Sequence, residues 1–228
     1  MSENVSQVVR RLCYAIMLPM AQILYFVLNW TTDSAHNVST FIDRHIPFNQ
    51  YFVVPYVFWY VFVVIILAYF AVKDSKIYFR MLTGMTAGIL ICCLIYLIYP
   101  TTIARPDISG SDPFTRLVLI IYSNDQPYNC APSIHVLNTV LPTMLMFGFS
   151  KKYWVKALVA INAIVICLST MFIKQHAFID VLSAIVLALI MYPIISSDYI
   201  WSRVPVKRVI DLIVPAKLRQ GGIEPGEN

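Results

Sequence analysis

The sequence has few charged residues. Asp, Glu, Lys and Arg make up 13% of its 228 residues, whereas a soluble domain has about 25%. Hydrophobic residues make up 59% and the mean hydropathy is +0.70. This composition argues against a soluble domain and predicts an integral membrane protein.

The sequence also lacks the cysteine spacing of a disulfide framework or a zinc site. It has five cysteines and no Cys-x-x-Cys pair. Only Cys130 lies in a polar segment, and the others lie in apolar runs, where cysteine packs as a small hydrophobic residue. We therefore predict no metal and no cofactor.

Long apolar runs dominate the chain. A spanning helix needs about 20 apolar residues, because the hydrocarbon layer is about 30 Å thick. About six segments qualify, namely Leu12–Trp30, Phe52–Val72, Leu82–Tyr99, Ile134–Phe149, Val155–Phe172 and Phe178–Ile195. These segments predict an all-α bundle in one membrane-embedded domain over residues 1–228. We expect Pro142 to kink the fourth span.

Loop charges predict the orientation of this bundle, because cytoplasmic loops carry an excess of Lys and Arg. One set of connections carries thirteen of the 17 basic residues: Arg10, Arg11, Lys73, Lys76, Arg80, Lys151, Lys152, Lys156, Arg203, Lys207, Arg208, Lys217 and Arg219. The other set carries four: Arg44, Arg105, Arg116 and Lys174. Both termini are therefore expected in the cytoplasm. This bias accounts for the net charge of +5 without a nucleic acid partner.

Two segments outside the spans have amphipathic patterns. Val38–Phe48 is expected to form a short interfacial helix ended by Pro47. The tail from Ser196 to Pro215 is expected to lie on the membrane surface, and residues 215–228 to be disordered.

His176 and Asp180 are four residues apart at the start of the sixth span, so they share a helix face. A carboxylate that accepts the imidazole N–H leaves the other ring nitrogen free as a nucleophile. The alternative is an ion pair at the membrane edge, or a carboxylate that only stabilises the helix start.

Ser133 and His135 open the fourth span behind a polar loop with Pro127 and Pro132. Backbone N–H groups at a helix start, together with a serine hydroxyl, bind anions well. The alternative is an ordinary serine cap beside an interfacial histidine.

Arg105 and Lys174 lie in connections on the same predicted side as both histidines. An arginine fork matches phosphate oxygens, and Lys174 is two residues before His176. The alternative is contact with lipid headgroups, which is the interpretation we favour for Arg44 and Arg116.

In combination these residues resemble the type 2 phosphatidic acid phosphatase superfamily of membrane lipid phosphatases and phosphotransferases. The resemblance lies in Arg105-Pro106, then Pro132-Ser133-x-His135, then His176-x3-Asp180. The runs Asp125–His135, Ser169–His176 and Ile46–Phe48 are similar to a bacterial branch.

The resemblance implies a two-step, metal-independent phosphoryl transfer. His176 attacks phosphorus and forms a phosphohistidine, and Asp180 holds its tautomer. His135 protonates the leaving group and then activates the acceptor. Arg105, Ser133 and backbone amides hold the phosphate oxygens, with Lys174 as a further cation.

Two positions depart from the family pattern. Ile98 occupies the place of a lysine, and Thr170 the place of an arginine. A neutral residue at the second place is similar to the branch with inositol phosphorylceramide synthases, which transfer a headgroup to a lipid.

Three functions follow as alternatives. The first is a phosphatase acting on phosphatidate, phosphatidylglycerol phosphate or polyprenyl pyrophosphate, with its site on the outer face of a bacterial plasma membrane. The second is a lipid phosphotransferase with an alcohol acceptor. The third, a transporter or structural protein, is disfavoured because ionisable residues cluster at one end of the spans and not near the midplane. The oligomeric state stays open.

Overall fold

The computed structural model describes residues 5–32 and 34–203. Its helices are α1 (Val5–Tyr14), α2 (Met17–Thr31), α3 (Phe41–His45), α4 (Val53–Lys73), α5 (Ser75–Ile98), α6 (Pro113–Asn124), α7 (Ile134–Phe149), α8 (Tyr153–Phe172), α9 (Phe178–Ser196) and α10 (Asp198–Arg203). Two short strands, β1 (His36–Asn37) and β2 (Thr101–Thr102), pair in parallel. The expectations for the tail after residue 203 lie outside the described residues.

The described residues form an all-α membrane bundle, which confirms the predicted fold class. Five helical stretches are long and apolar enough to cross a membrane: Val5–Thr31, Gln50–Lys73, Ser75–Ile98, Tyr153–Phe172 and Phe178–Ser196. The shorter apolar helix α7 completes the six predicted segments. The protein is therefore an integral membrane protein.

Two of the predicted spans differ from the structure, the first by an internal break and the third by its start. The first span contains a break between α1 and α2, because Pro19 in the first turn of α2 has no N–H to donate. The third span begins at Ser75 and not at Leu82, since the carboxylate of Asp74 caps the helix by accepting the N–H of Ile77 at 2.9 Å. Pro142 lies inside an unbroken α7, and the kink stays a prediction.

Helix α7 is the centre of the bundle and packs against α5, α8 and α9. Two glycines of α5 allow this close approach. A Cβ atom at Gly84 would lie 2.5 Å from Cδ1 of Ile195, and one at Gly88 would lie 2.7 Å from Cδ2 of Leu137. Larger side chains at these positions would push α5 away from α7 and α9.

The turns α4–α5 and α7–α8 lie at one end of the bundle. The rings of Phe70 and Phe149 pack there with centroids 5.1 Å apart. Arg80 Nη1 donates to the carbonyl of Ser196 at 2.8 Å, which brings the end of α9 to the same place. The described members of the thirteen-residue basic set lie at this end of the bundle. His135 and His176 lie at the other end.

The end of the bundle that holds His135 and His176 differs from the prediction in two elements. The interfacial helix spans only Phe41–His45, because Val38 N donates to Thr102 O at 3.0 Å and extends the strand pairing. Helix α6 was not predicted, although Asp112 caps it by accepting two backbone N–H groups at 3.0 Å. Val118 of α6 packs with Val53 and Ile173 over the site end of α4.

Candidate active site

His176 lies in the turn between α8 and α9 with a fixed ring orientation. Its Nδ1 is 3.1 Å from the carbonyl oxygen of Cys130 and 3.4 Å from Oδ2 of Asp180. Both partners are acceptors, so Nδ1 carries the proton and Nε2 has the free lone pair. Asp180 is fully buried, and its Oδ2 also accepts the N–H of Ala177 at 2.7 Å. The ring is thus held as a nucleophile requires.

His135 lies in the first turn of α7 and is enclosed by aromatic rings. Its ring centroid is 4.8 Å from that of Tyr56 and 4.4 Å from that of Trp59. His135 Nε2 is buried and has no hydrogen-bond partner within the described part of the chain. A buried polar atom without a partner is rare and points to a ligand or a functional role.

Ser133 joins the start of α7, which carries His135, to the start of α9, which follows His176. Its N–H donates to the carbonyl of Asp180 at 3.1 Å, and its Oγ accepts the N–H of Val136 at 3.3 Å as the cap of α7. As a result the His135 and His176 rings come together, with centroids 5.8 Å apart. Ser133 has the capping role that the sequence analysis gave as the alternative, and its phosphate role stays a prediction.

The loop before Ser133 is fixed by two polar side chains from other helices and strands. Asn29 of α2 donates to the carbonyl of Gln126 and accepts its N–H, both at 2.9 Å. Thr101 Oγ1 accepts the N–H groups of Cys130 and Ala131, both at 2.9 Å. These bonds set the position of the Cys130 carbonyl that orients His176.

Arg105 lies beside His176 but uses much of its hydrogen-bonding capacity within the protein. Nη1 donates to the carbonyl of Asp125 at 2.7 Å, and Nη2 donates to Oε1 of Gln175 at 2.5 Å. The guanidinium carbon lies 4.3 Å from the ring centroid of Tyr122. Its Nε is buried and has no partner among residues 5–32 and 34–203.

Lys174 adopts a left-handed backbone, with φ of 56°, in the turn before His176. Its Nζ donates to the carbonyls of Asp43 at 2.9 Å and Ile46 at 2.5 Å. Desolvation lowers the pKa of Lys174, and the Asp43 charge opposes this shift. Lys174 therefore ties residues 36–48, the α3 segment, to the turn. Its binding of phosphate stays a prediction.

Asp125 is a half-buried carboxyl group near His135 and His176. Tyr25 donates its hydroxyl to Oδ1 of Asp125 at 2.6 Å. Burial raises the pKa of Asp125, and the Tyr25 hydrogen bond, Arg105 and His176 oppose this shift. No role was predicted for Asp125.

Two cavities lie on either side of the histidine pair. An apolar groove of about 520 Å³ runs between α2 and α4 and contains His135 and Asn138. A polar pocket of about 540 Å³ lies under the α3 segment and contains His176, Arg105 and Lys174. His135 therefore lines the apolar groove, whereas His176 lines the polar pocket.

A model of the PAP2 superfamily matches residues 21–194, about three quarters of the chain. The chain belongs to the PAP2 superfamily. Membership indicates a phosphatase or a phosphotransferase. The matched range includes every predicted site residue. Comparison with curated proteins and with solved structures gave no significant match.

The two positions that depart from the PAP2 family pattern lie outside both cavities. Ile98 is 75% exposed on the outer surface of α5. Thr170 is fully buried, and its hydroxyl donates to the carbonyl of Cys167 at 2.8 Å. Neither residue gives the polar pocket a positive charge.

Sequence reasoning missed several parts of this PAP2 site. The Cys130 carbonyl is backbone, so no residue type indicates its role. Gln175 could have been considered, since it lies between Lys174 and His176. Arg44 lines the polar pocket although we interpreted it as a headgroup contact.

Proposed function

We propose that the protein is a lipid phosphatase that hydrolyses a phosphomonoester or pyrophosphate headgroup through a phosphohistidine on His176. The observation that carries this proposal is the pairing of His135 and His176 at 5.8 Å. A catalytic group works at about 2.6–3.2 Å from the atom it serves. One phosphoryl group between the rings is therefore within reach of both.

The proposed reaction has two steps. His176 Nε2 attacks phosphorus, and the bond from phosphorus to the leaving oxygen breaks while His135 gives that oxygen a proton. Water then attacks the phosphohistidine, His135 takes a proton from it, and inorganic phosphate and free His176 are produced. Asp180 and the Cys130 carbonyl keep the proton on Nδ1 in both steps.

Unpaired polar atoms at the site support binding of a phosphate. His135 Nε2, Arg105 Nε and Gln175 Nε2 are buried without a hydrogen-bond partner in the described ranges. Such groups are costly unless a ligand or water meets them. Fixed donors of this kind stabilise developing charge on phosphate oxygens without reorganisation.

The apolar groove supports a lipid as the substrate. Its apolar lining includes Phe26 and Val64, and its polar end holds Asp125 and His135. We place the acyl or prenyl chain of the substrate in this groove and its phosphate beside the histidine pair. In the orientation proposed from the loop charges, the polar pocket opens on the outer face of a bacterial plasma membrane.

A lipid phosphotransferase is the second candidate. The polar pocket is much larger than one phosphate group and extends to Asn37 and Ser39. These polar groups suit a polyol acceptor or headgroup, and the neutral Thr170 is similar to phosphotransferase relatives. In this version an alcohol replaces water in the second step.

A phosphate-release assay tests the proposal. Purified protein is incubated in detergent with phosphatidate, phosphatidylglycerol phosphate or undecaprenyl pyrophosphate in the presence of EDTA. We expect inorganic phosphate from at least one lipid, and none from His176→Ala or His135→Ala protein of normal thermal stability. Headgroup exchange with an added alcohol, without phosphate release, favours the phosphotransferase. Normal turnover in either variant contradicts the mechanism.

A further inference from the structure

The polar pocket needs more positive charge than the predicted phosphate-binding residues give it. A phosphomonoester carries up to two negative charges near neutral pH. Arg105 already donates hydrogen bonds from Nη1 to Asp125 and from Nη2 to Gln175. Lys174 donates two of its three N–H groups to loop carbonyls.

Arg44 is a further cation in this pocket. It lies on α3, is exposed, and lines the pocket together with Arg105 and His176. Its side chain makes no hydrogen bond or ion pair with the rest of the described chain. Its donors are therefore available to a ligand in the pocket.

The α3 segment is fixed to the helix that carries Asp180, so the location of Arg44 is defined. Asp43 Oδ1 accepts the N–H of Phe178 in the first turn of α9 at 2.7 Å. Asp43 Oδ2 accepts the N–H of Thr40 at 2.6 Å. Lys174 holds the same segment through the carbonyls of Asp43 and Ile46.

We propose that Arg44 is a substrate-binding residue whose guanidinium donates to the phosphate oxygens of the lipid. Ile98 on α5 and Thr170 on α8 occupy the places of a lysine and an arginine in the family pattern and carry no charge. Arg44 supplies positive charge instead, from the segment between α2 and α4. A guanidinium suits this task because its planar fork matches two oxygens of a tetrahedral anion. This inference rests on the proposed function and adds a residue to its site.

The test compares Arg44→Gln with Arg116→Gln, Arg44→Lys and the wild type. Arg116 is the matched control, because it is an exposed arginine at the same end of the bundle and lines neither cavity. The measurements are the KM of a lipid phosphate, the KM of a water-soluble aryl phosphate, and the Kd of orthovanadate by calorimetry.

We expect Arg44→Gln to raise both KM values and the vanadate Kd by about tenfold, the loss of one exposed charge-assisted hydrogen bond. Arg44→Lys should recover part of the loss, and Arg116→Gln should match the wild type. A change confined to the KM of the lipid substrate would show that Arg44 contacts bilayer headgroups, which overturns the assignment. An unchanged vanadate Kd overturns it as well.

Failure of the proposed function gives a different pattern. A wild type that releases no phosphate but binds vanadate more tightly than Arg44→Gln contradicts the phosphatase and retains Arg44 as an anion-binding residue. An active wild type with an unaffected Arg44→Gln variant contradicts the assignment alone. A wild type that neither turns over nor binds vanadate contradicts both.

Discussion

The imidazole rings of His135, in the first turn of α7, and His176, in the turn before α9, have centroids 5.8 Å apart and an interplanar angle of 57°. The contact depends on the bond from Ser133 N to Asp180 O, which holds the start of α7 against the start of α9. The reacting groups are thus positioned by backbone as well as by side chains.

Asp180→Asn should lower kcat by about 100-fold or more and leave KM nearly unchanged. An amide facing Nδ1 can donate its own hydrogens, which favours the wrong tautomer of His176. The Cys130 carbonyl at 3.1 Å still accepts the correct proton, so we expect residual activity above that of His176→Ala.

The control for this variant is Asp198→Asn. Asp198 is an exposed carboxylate at the opposite end of the bundle, where it pairs with Lys76 at 2.8 Å. It should keep wild-type kcat. Wild-type kcat in Asp180→Asn would remove Asp180 from the mechanism.

Lys174→Ala should raise KM mainly because the α3 segment loosens. Lys174 Nζ holds the carbonyls of Asp43 and Ile46, so its removal frees the segment that carries Arg44. Hydrogen exchange of residues 36–48 should become faster in Lys174→Ala and stay unchanged in Arg44→Gln.

The double variant Lys174→Ala with Arg44→Gln distinguishes this role from direct phosphate binding by Lys174. If Lys174 acts by placing Arg44, the two effects on KM are less than additive. Additive effects with unchanged hydrogen exchange would mean that Lys174 binds the phosphate itself.

Asp125→Asn should change how stability depends on pH. Burial raises the pKa of Asp125, so the folded state holds this proton at pH values where the unfolded chain has lost it. Stability from this group is present below the ordinary carboxyl pKa of about 3.9 and is lost as pH rises towards the raised folded pKa. The midpoint of thermal unfolding, measured at a series of pH values, should show this loss of stability in the wild type and not in Asp125→Asn.

Asp112→Asn is the matched control with the opposite sign. Hydrogen bonds with Thr115 lower the pKa of Asp112, so its contribution is lost as pH falls through the lowered pKa. A wild-type pH profile in Asp125→Asn would contradict a raised pKa for Asp125.

Gly88→Val should destabilise the bundle by about 1–3 kcal/mol, because a Cβ at Gly88 meets Cδ2 of Leu137 at 2.7 Å. Gly148→Ala is the control, since its nearest contact is the movable hydroxyl of Tyr192 at 3.2 Å. Thermal unfolding in detergent measures both. Equal midpoints for Gly88→Val and the wild type would show that α5 has space to move.

Hydropathy and motif spacing predicted the parts of this fold that depend on local sequence. The six apolar helices, and the placement of His135 and His176 at one end, follow from runs and spacings within single segments. The position of Arg44 does not, because it depends on bonds from Asp43 to α9 and from Lys174 to α3. The break before Pro19 and the cap at Asp112 were readable from local sequence but were overlooked beside the stronger apolar signal.

Trapping the covalent intermediate tests the central claim most directly. His135→Ala protein is mixed with an aryl phosphate, whose leaving group needs no proton, quenched in alkali and digested for mass spectrometry. The first step then proceeds without His135, whereas hydrolysis of the phosphohistidine is slow because no base activates water. We therefore expect phosphate to accumulate on His176, in the peptide that contains this residue. Phosphate on another residue, or labelling that persists in the His135→Ala, His176→Ala double variant, would contradict the account.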